Sequence, residues 1–274
     1  MKFDYCSDIH IDYWVASHLK TQEILIHDFL FRLLPMDRSD VLVIAGDIGH
    51  FNAQINTVLK VFRKYYKYVV WVHGNHEMYV NDTKSIRKYR NDFVNRLAEF
   101  KPMSDAIGDV YYLDGDVIEL DGIRFGGCSM WYDFSYAETF TLTRKTAYDY
   151  WRDKPWIDFK NIHSVEFSSP GNGFDPVKYF ESQKEKLDSM IGSIDVMISH
   201  VGPDASKIIK KYRTLTTSFY YFDGLDYLYN GFPKVWVYGH THIECEHKIM
   251  NTSLLCSPIG YENESSALIK TFNI

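Results

Sequence analysis

The sequence predicts an α/β fold with a largely parallel sheet, on three observations. Short apolar, β-branched runs such as Val41–Ala45 and Tyr68–Val72 alternate with segments of helical spacing, the pattern of βαβ units. Almost every such run ends in a Gly, Asp, Asn or His cluster. No internal repeat, low-complexity tract or flexible linker interrupts the chain. The expectation is one domain over residues 1–274, carrying an aromatic-rich insertion at about 131–174.

Taken in order, Lys2–Ser7 reads as a strand and Gln22–Leu34 as a helix ended by Pro35. Val41–Ala45 is a buried strand bounded by Gly46. Asn52–Tyr66 has helical spacing through Ile55, Val58, Leu59, Phe62 and Tyr66. Tyr68–Val72 is a second buried strand, closed by the turn at Gly74. Asp82 is placed to cap a helix running to Phe100, with Ile86, Phe93, Leu97 and Phe100 on one face. Val110–Leu113, Val117–Leu120 and Ile123–Gly127 read as a meander of short strands joined by Asp-Gly turns. Residues 131–174 are irregular and rich in Trp, Tyr and Phe. Asp175-Pro176 matches an N-cap with proline at the first helical position, opening a helix to about Ile191. Asp195–Ser199 and Val235–Tyr238 are again buried strands, followed by a hairpin around Lys248–Cys256 and a last strand near Ala267–Phe272.

Composition narrows the partners. Hydrophobic residues make up 46% and aromatics 16%, ample for a packed core. Thirty Lys and Arg against 36 Asp and Glu give a net charge of -6, so no global attraction to nucleic acid or anionic membrane is expected. No run approaches the roughly 18–20 apolar residues of a membrane span, and the N-terminus enters a strand pattern without a signal-peptide stretch. Cys6, Cys128, Cys245 and Cys256 are scattered and form no Cys-x-x-Cys pair, which fits reduced thiols in a cytoplasmic protein. Basic clusters at Arg63–Lys67, Lys84–Arg90 and Lys207–Arg213 could follow a single strand of nucleic acid, but two of them fall in expected helices and read better as solvated faces. Oligomeric state is left open.

Five segments carry the chemistry. They are Asp8-Ile9-His10, Gly46-Asp47, Gly74-Asn75-His76-Glu77, Ser199-His200 and Gly239-His240-Thr241-His242. A lone Asp-x-His is common by chance, and Gly-Asp marks many strand-to-turn junctions. All five in this order, each after a strand, are another matter. Burying two carboxylates and five imidazoles without partners would cost about 2–7 kcal/mol per group, whereas a shared metal centre satisfies the whole set. Alternate residues of an extended segment face the same way, so Asp8 and His10 can converge on one metal, and His240 and His242 can do so from another strand. Asp47 sits where a carboxylate can bridge two cations, and Asn75 and His200 add an amide oxygen and an imidazole. Imidazole, carboxylate and amide ligands without thiolate favour Mn, Fe, Zn, Ni or Co, with Mn²⁺ the expected ion.

These segments resemble the signatures of the calcineurin-like metallophosphoesterases, which read Asp-x-His, Gly-Asp, Gly-Asn-His-Asp/Glu, His and Gly-His-x-His. The match spans residues 8–242. It is most similar to a bacterial and phage-type branch, through Gly126-Gly127-Cys128-Ser129-Met130-Trp131 and the stretch from Ser218 to Leu225. The resemblance implies two packed mixed β-sheets flanked by helices, a four-layer α/β/β/α sandwich. It implies two divalent metal ions, one held by Asp8, His10, Asp47 and His242, the other by Asp47, Asn75, His200 and His240. His76 would stay off the metals as the general acid. Cations about 3.5–4 Å apart would activate a bridging hydroxide for attack on phosphorus.

The implied activity is hydrolysis of a phosphodiester or phosphomonoester of a small, nucleotide-like molecule. The alternatives are a nuclease of the same fold, a Ser/Thr protein phosphatase, and a binding scaffold without catalysis. The protein phosphatases continue Gly-Asp with Asp-Arg, whereas this chain reads Gly46-Asp47-Ile48-Gly49-His50. A scaffold would have lost ligands that are all present. His50, Trp131 and Tyr132 are the expected substrate contacts, His50 from its place beside a ligand motif and the two aromatics as the start of an insertion long enough to reach over the site.

Overall fold

Strands made of unbroken Val, Ile and Leu are stable only where both faces of their sheet are covered, and the architecture supplies that cover twice. The computed structural model describes residues 1–154, 156–169, 171, 173–206, 214–264 and 268–274. In chain order the strands are β1 (Lys2–Cys6), β2 (Val41–Ala45), β3 (Tyr68–Val72), β4 (Val110–Tyr112), β5 (Asp116–Leu120), β6 (Ile123–Gly127), β7 (Ser168–Ser169), β8 (Gly173–Phe174), β9 (Val196–Ile198), β10 (Val235–Tyr238), β11 (Cys245–Ile249), β12 (Thr252–Cys256) and β13 (Lys270–Asn273). The helices are α1 (Ile11–Trp14), α2 (Gln22–Leu33), α3 (Asn52–Phe62), α4 (Thr83–Tyr89), α5 (Phe93–Leu97), α6 (Phe100–Ile107), α7 (Arg144–Asp153), α8 (Ile157–Asn161), α9 (Pro176–Met190) and α10 (Leu225–Tyr229).

One sheet has the order β13-β1-β2-β3-β4, the other β11-β12-β10-β9-β6-β5. β1 to β4 are parallel, and so are β12, β10, β9 and β6; β13, β11 and β5 run antiparallel at the edges. Alternation along β2 shows how the layers separate. Val41, Val43 and Ala45 face the other sheet, meeting Val196, Ile198, Val235 and Val237. Leu42 and Ile44 face the opposite way, against Leu30 of α2 and Ile55, Val58 and Leu59 of α3. The outer face of the second sheet, through Met197, Trp236 and Leu254, packs on α9 and on the aromatic insertion. Two mixed sheets flanked by helices are the expected sandwich.

Three expectations need correction. The helix from Asp82 is three helices. Asp82 caps α4 as expected, accepting from the Lys84 and Ser85 amides, but Arg90 and Asn91 turn left-handed and Asp92 caps α5 afresh, accepting from the Val94 amide. The meander is also divided between sheets. β4 pairs parallel with β3, and only β5 and β6 form a hairpin, through Asp121-Gly122, both at positive φ as that tight turn requires. Last, the insertion is not irregular: it contains α7, α8, a 3₁₀ turn at Ser135–Phe140 and the β7–β8 pair. The basic cluster Lys207–Arg213 and residue Ala267 of the expected last strand lie outside the described residues.

Asp175 caps α9 as the sequence suggests, accepting from the amides of Val177 and Lys178 at 3.1 Å each. Asp175→Ala should therefore lower stability by about 1 kcal/mol. The effect should appear as a lower urea midpoint with an unchanged slope.

Candidate metal centre

The expected ligands sit where parallel strands stop. Asp8, Asp47 and Asn75 follow β1, β2 and β3; His200 follows β9, and His240 and His242 follow β10. Three come from one sheet and three from the other, with His10 at the start of α1. The backbone does not stay extended past the strands. Asp8, His10, Asp47, His240 and His242 all take left-handed φ, between 46° and 68°. Each such residue costs on the order of 1–3 kcal/mol and persists only where its surroundings over-determine it. Here they do: the Asp8, His10 and Ile11 amides bond to the Gly46, Asp47 and Ile48 carbonyls, and the His240 amide donates to Asp8 Oδ1 at 3.0 Å.

The side chains converge. His10 Nε2 lies 3.0 Å from His242 Nε2 and 3.7 Å from Asp47 Oδ2. His242 Nε2 is 3.6 Å from Asp8 Oδ1, and His200 Nε2 is 3.4 Å from Asp47 Oδ2. Asn75 Oδ1 faces His200 Nε2 at 2.9 Å and His240 Nδ1 at 3.1 Å. Asp8–His10–His242, His10–Asp47–His76 and Asp8–Asp47–His200 are each close enough to hold an ion.

The outer nitrogens explain why the inner ones are available. His200 Nδ1 is 2.8 Å from the Ala45 carbonyl, His240 Nε2 is 3.0 Å from the Phe219 carbonyl, and His242 Nδ1 is 2.6 Å from Glu264 Oε2. Each ring donates outward, which turns the other nitrogen inward, the arrangement typical of metal-ligating histidines. Burial pushes His10 and His240 down to about 4, leaving them as neutral imidazoles. Burial also opposes charge on His200 and Asp47, but each favours the charge of the other: the Asp47 carboxylate raises His200 to about 10, and the His200 and His76 rings hold Asp47 well below the ordinary carboxylate range. The residues fit a divalent cation. Buried anions here need positive charge, and the donors are oxygens and imidazole nitrogens of the kind such ions take.

Two further groups shape the ring. Gly74 lies against it so closely that a Cβ would stand 2.2 Å from Asp47 Oδ1, so no other residue fits without moving that carboxylate. Glu77, fully buried, accepts from the amides of Asp47 at 2.9 Å, Gly49 at 2.9 Å and Gly74 at 2.7 Å. It ties the second and third segments together. Buried Arg96 donates to the carbonyls of His76 at 3.1 Å and Tyr79 at 2.7 Å, fixing the turn that carries His76.

His76 lies 3.8 Å from Asp47 Oδ2, with Nε2 3.4 Å from the Tyr261 hydroxyl and Nδ1 buried without a hydrogen-bond partner among the described residues. The other expected substrate contacts are placed differently. His50 pairs with Asp12 at 2.9 Å and stacks on His76, ring centroids 4.5 Å apart, so it backs His76. Trp131 and Tyr132 are fully buried and line no part of the cleft; Tyr132 packs behind His240, centroids 6.3 Å apart. As direct contacts these two are corrected: the insertion reaches the cleft through Trp156 and Ile157 instead, with Asp158, 1% exposed, set behind the Asn75 amide. The cleft, of about 520 Å³, opens from Asp47, Asn75, His76, His240 and His242 and is also walled by Tyr220 and Tyr261. Tyr261 stacks on His10 with centroids 4.5 Å apart. Asp158, Tyr261 and Glu264 carry no local sequence signal, since single residues in aromatic or polar stretches look like ordinary surface.

Comparison with known proteins identifies the family. The model of the calcineurin-like phosphoesterase family matches residues 1–244, and the chain belongs to that family. A relative in Acanthamoeba polyphaga mimivirus, an uncharacterised protein, is 24% identical over 273 residues, with 95% of this chain and 91% of the relative covered. Among solved structures, the phosphopantetheinyl hydrolase of Mycobacterium tuberculosis aligns with a TM-score of 0.74 at 15% identity, covering 99% of this chain and 95% of that one. That likeness is one of fold.

Replacing Glu77 tests whether the segments are held as a unit. Glu77→Ala strips three buried amides of their acceptor, at roughly 1–3 kcal/mol each. Stability should fall by at least ~3 kcal/mol in chemical denaturation, and bound metal should fall with it.

Proposed function

We propose that this member of the calcineurin-like phosphoesterase family uses two divalent cations, Mn²⁺ for preference, to hydrolyse a small, nucleotide-like phosphoester. The convergence of seven donor side chains from five strand ends, open to a cleft of about 520 Å³, carries the reading. A cleft of this size suits a small molecule. Asp8, His10, Asp47 and His242 would hold one ion, and Asp47, Asn75, His200 and His240 the other. Bound there, the cations would activate water and neutralise the phosphoryl oxygens. The chain itself is a phosphoric ester hydrolase by family; the four free thiols fit a reducing compartment such as the cytoplasm. Among the described residues no helix is long and apolar enough to cross a membrane.

The protein's own groups divide the work. Asp47 holds the centre together, its Oδ1 fixed by the His76 amide at 2.9 Å and its Oδ2 turned to the imidazoles. His76 stands at the cleft floor to pass a proton to the leaving oxygen. Burial keeps its pKa well below the ordinary value, and a phosphoester anion beside Nε2 would supply the negative charge that favours the imidazolium. Tyr261 and Trp156 close the sides against water.

Two variants test the division. Asp47→Asn should lose bound metal and nearly all turnover, because it removes negative charge from both ion sites; full activity with two metals would refute the assignment. His76→Ala should keep its metal. Its kcat should fall about 10²–10⁴-fold on an alkyl phosphoester and much less on a nitrophenyl ester, whose leaving group needs little protonation. His76 also sits within reach of an ion with His10 and Asp47, so metal loss in this variant would make it a ligand instead.

A further inference from the structure

An asparagine ligand presents a problem that aspartate does not. Its amide has an oxygen end that can bind a cation and a nitrogen end that repels one, and nothing in the residue itself selects between them. In this protein the selection is made from outside. Asn75 Nδ2 donates both of its hydrogens, one to the Tyr79 hydroxyl at 2.8 Å and one to Asp158 Oδ1 at 3.0 Å. Oδ1 is thereby turned toward His200 and His240.

Asp158 is built for this task. It is buried, 1% exposed, and forms no ion pair with Lys, Arg or His among the described residues. Its Oδ1 also accepts from the Tyr79 hydroxyl at 2.6 Å, and its Oδ2 accepts from the Tyr132 hydroxyl at 2.9 Å. Tyr132 is in turn fixed by the Trp151 indole N–H at 2.9 Å. Burying a carboxylate without a cation beside it costs several kcal/mol, and a purely structural polar contact could be made more cheaply by an amide. A carboxylate differs in being an acceptor only. It can face the nitrogen end of Asn75 and never the oxygen end.

We propose that Asp158 is a positioning residue of the metal centre, fixing the Asn75 amide so that its oxygen faces the cation shared with His200 and His240. The aromatic insertion, through Trp151, Tyr132 and Asp158, therefore helps to assemble the centre as well as to wall the cleft. The inference rests on the two-metal reading above, and it concerns one ion site and leaves the other alone.

The test is Mn²⁺ binding to the metal-stripped full-length protein by calorimetric titration, beside thermal unfolding and steady-state kinetics. Unaltered protein should bind two equivalents. Asp158→Asn should keep its melting temperature within a few degrees while one equivalent weakens by about 10–100-fold, the usual effect of losing an outer partner of a metal ligand. With Mn²⁺ saturating, KM should be unchanged. The exchange Asn75→Asp/Asp158→Asn should restore most of the lost affinity, because a carboxylate at position 75 offers oxygen from either end; a merely structural role would not produce this rescue. Tyr132→Phe, which removes one donor to Asp158, should weaken the same equivalent to a smaller extent. Unchanged Mn²⁺ binding with a raised KM would make Asp158 a substrate contact and overturn the inference. Equal loss of both equivalents together with a collapsed melting temperature in Asp158→Asn, and no selective weakening in Tyr132→Phe, would overturn it too. If unaltered protein binds fewer than two equivalents, the two-metal reading falls first and this inference with it.

Discussion

Everything in this structure depends on keeping Asp47 ionised out of contact with water. The carboxylate is 2% exposed, lies within 4 Å of three imidazoles and receives the His76 amide on its other oxygen. A buried anion is tolerable only where charge and hydrogen bonds meet it from all sides. The two sheets exist at this place to do that. They bring the carboxyl ends of parallel strands from both sides to one line, the position where α/β sheets form their binding crevices. No single sheet could surround the carboxylate, since His200 and His240 arrive from the sheet opposite to the one that carries Asp47.

The cost of that arrangement is visible in the backbone. Five candidate ligand residues in left-handed conformations together cost on the order of 5–15 kcal/mol, as much as the net stability of a typical domain. The surrounding groups hold that backbone in place. Glu77 clasps three amides, Arg96 two carbonyls, and Gly74 approaches Asp47 more closely than any side chain would allow. Three continuous apolar clusters hold the layers that carry these groups.

The insertion takes the remaining role. Its rings pack edge to face, as Trp131 does on Phe174 and Tyr179, which fills volume and leaves hydroxyl and indole groups to be aimed. Tyr132 hydrogen-bonds Asp158 from the buried side, and Trp156, packed edge to face on Tyr220 with ring centroids 6.1 Å apart, lines the cleft. A segment that reads as a lid is in part a buried support.

The candidate ligands were legible in sequence because each follows a strand, and strands of unbroken β-branched residues announce their own ends. Val41–Ala45 and Tyr68–Val72 appear with the boundaries expected, and so do the Asp82 and Asp175 caps. The break at Arg90-Asn91 was not, because the helical face of Ile86, Phe93, Leu97 and Phe100 stays in phase across it. What the sequence by itself determined is the chemistry: which residues end strands and offer oxygen or imidazole. Tertiary structure alone decided orientation. The direction of the Asn75 amide depends on Asp158, 83 residues away, and the nitrogen that His242 turns inward on Glu264, 22 residues away. The side of the wall on which Trp131 lies depends on its packing against Phe174 and Tyr179. Side-chain hydrogen bonds across such separations leave no periodicity in the chain, and only packing selects them.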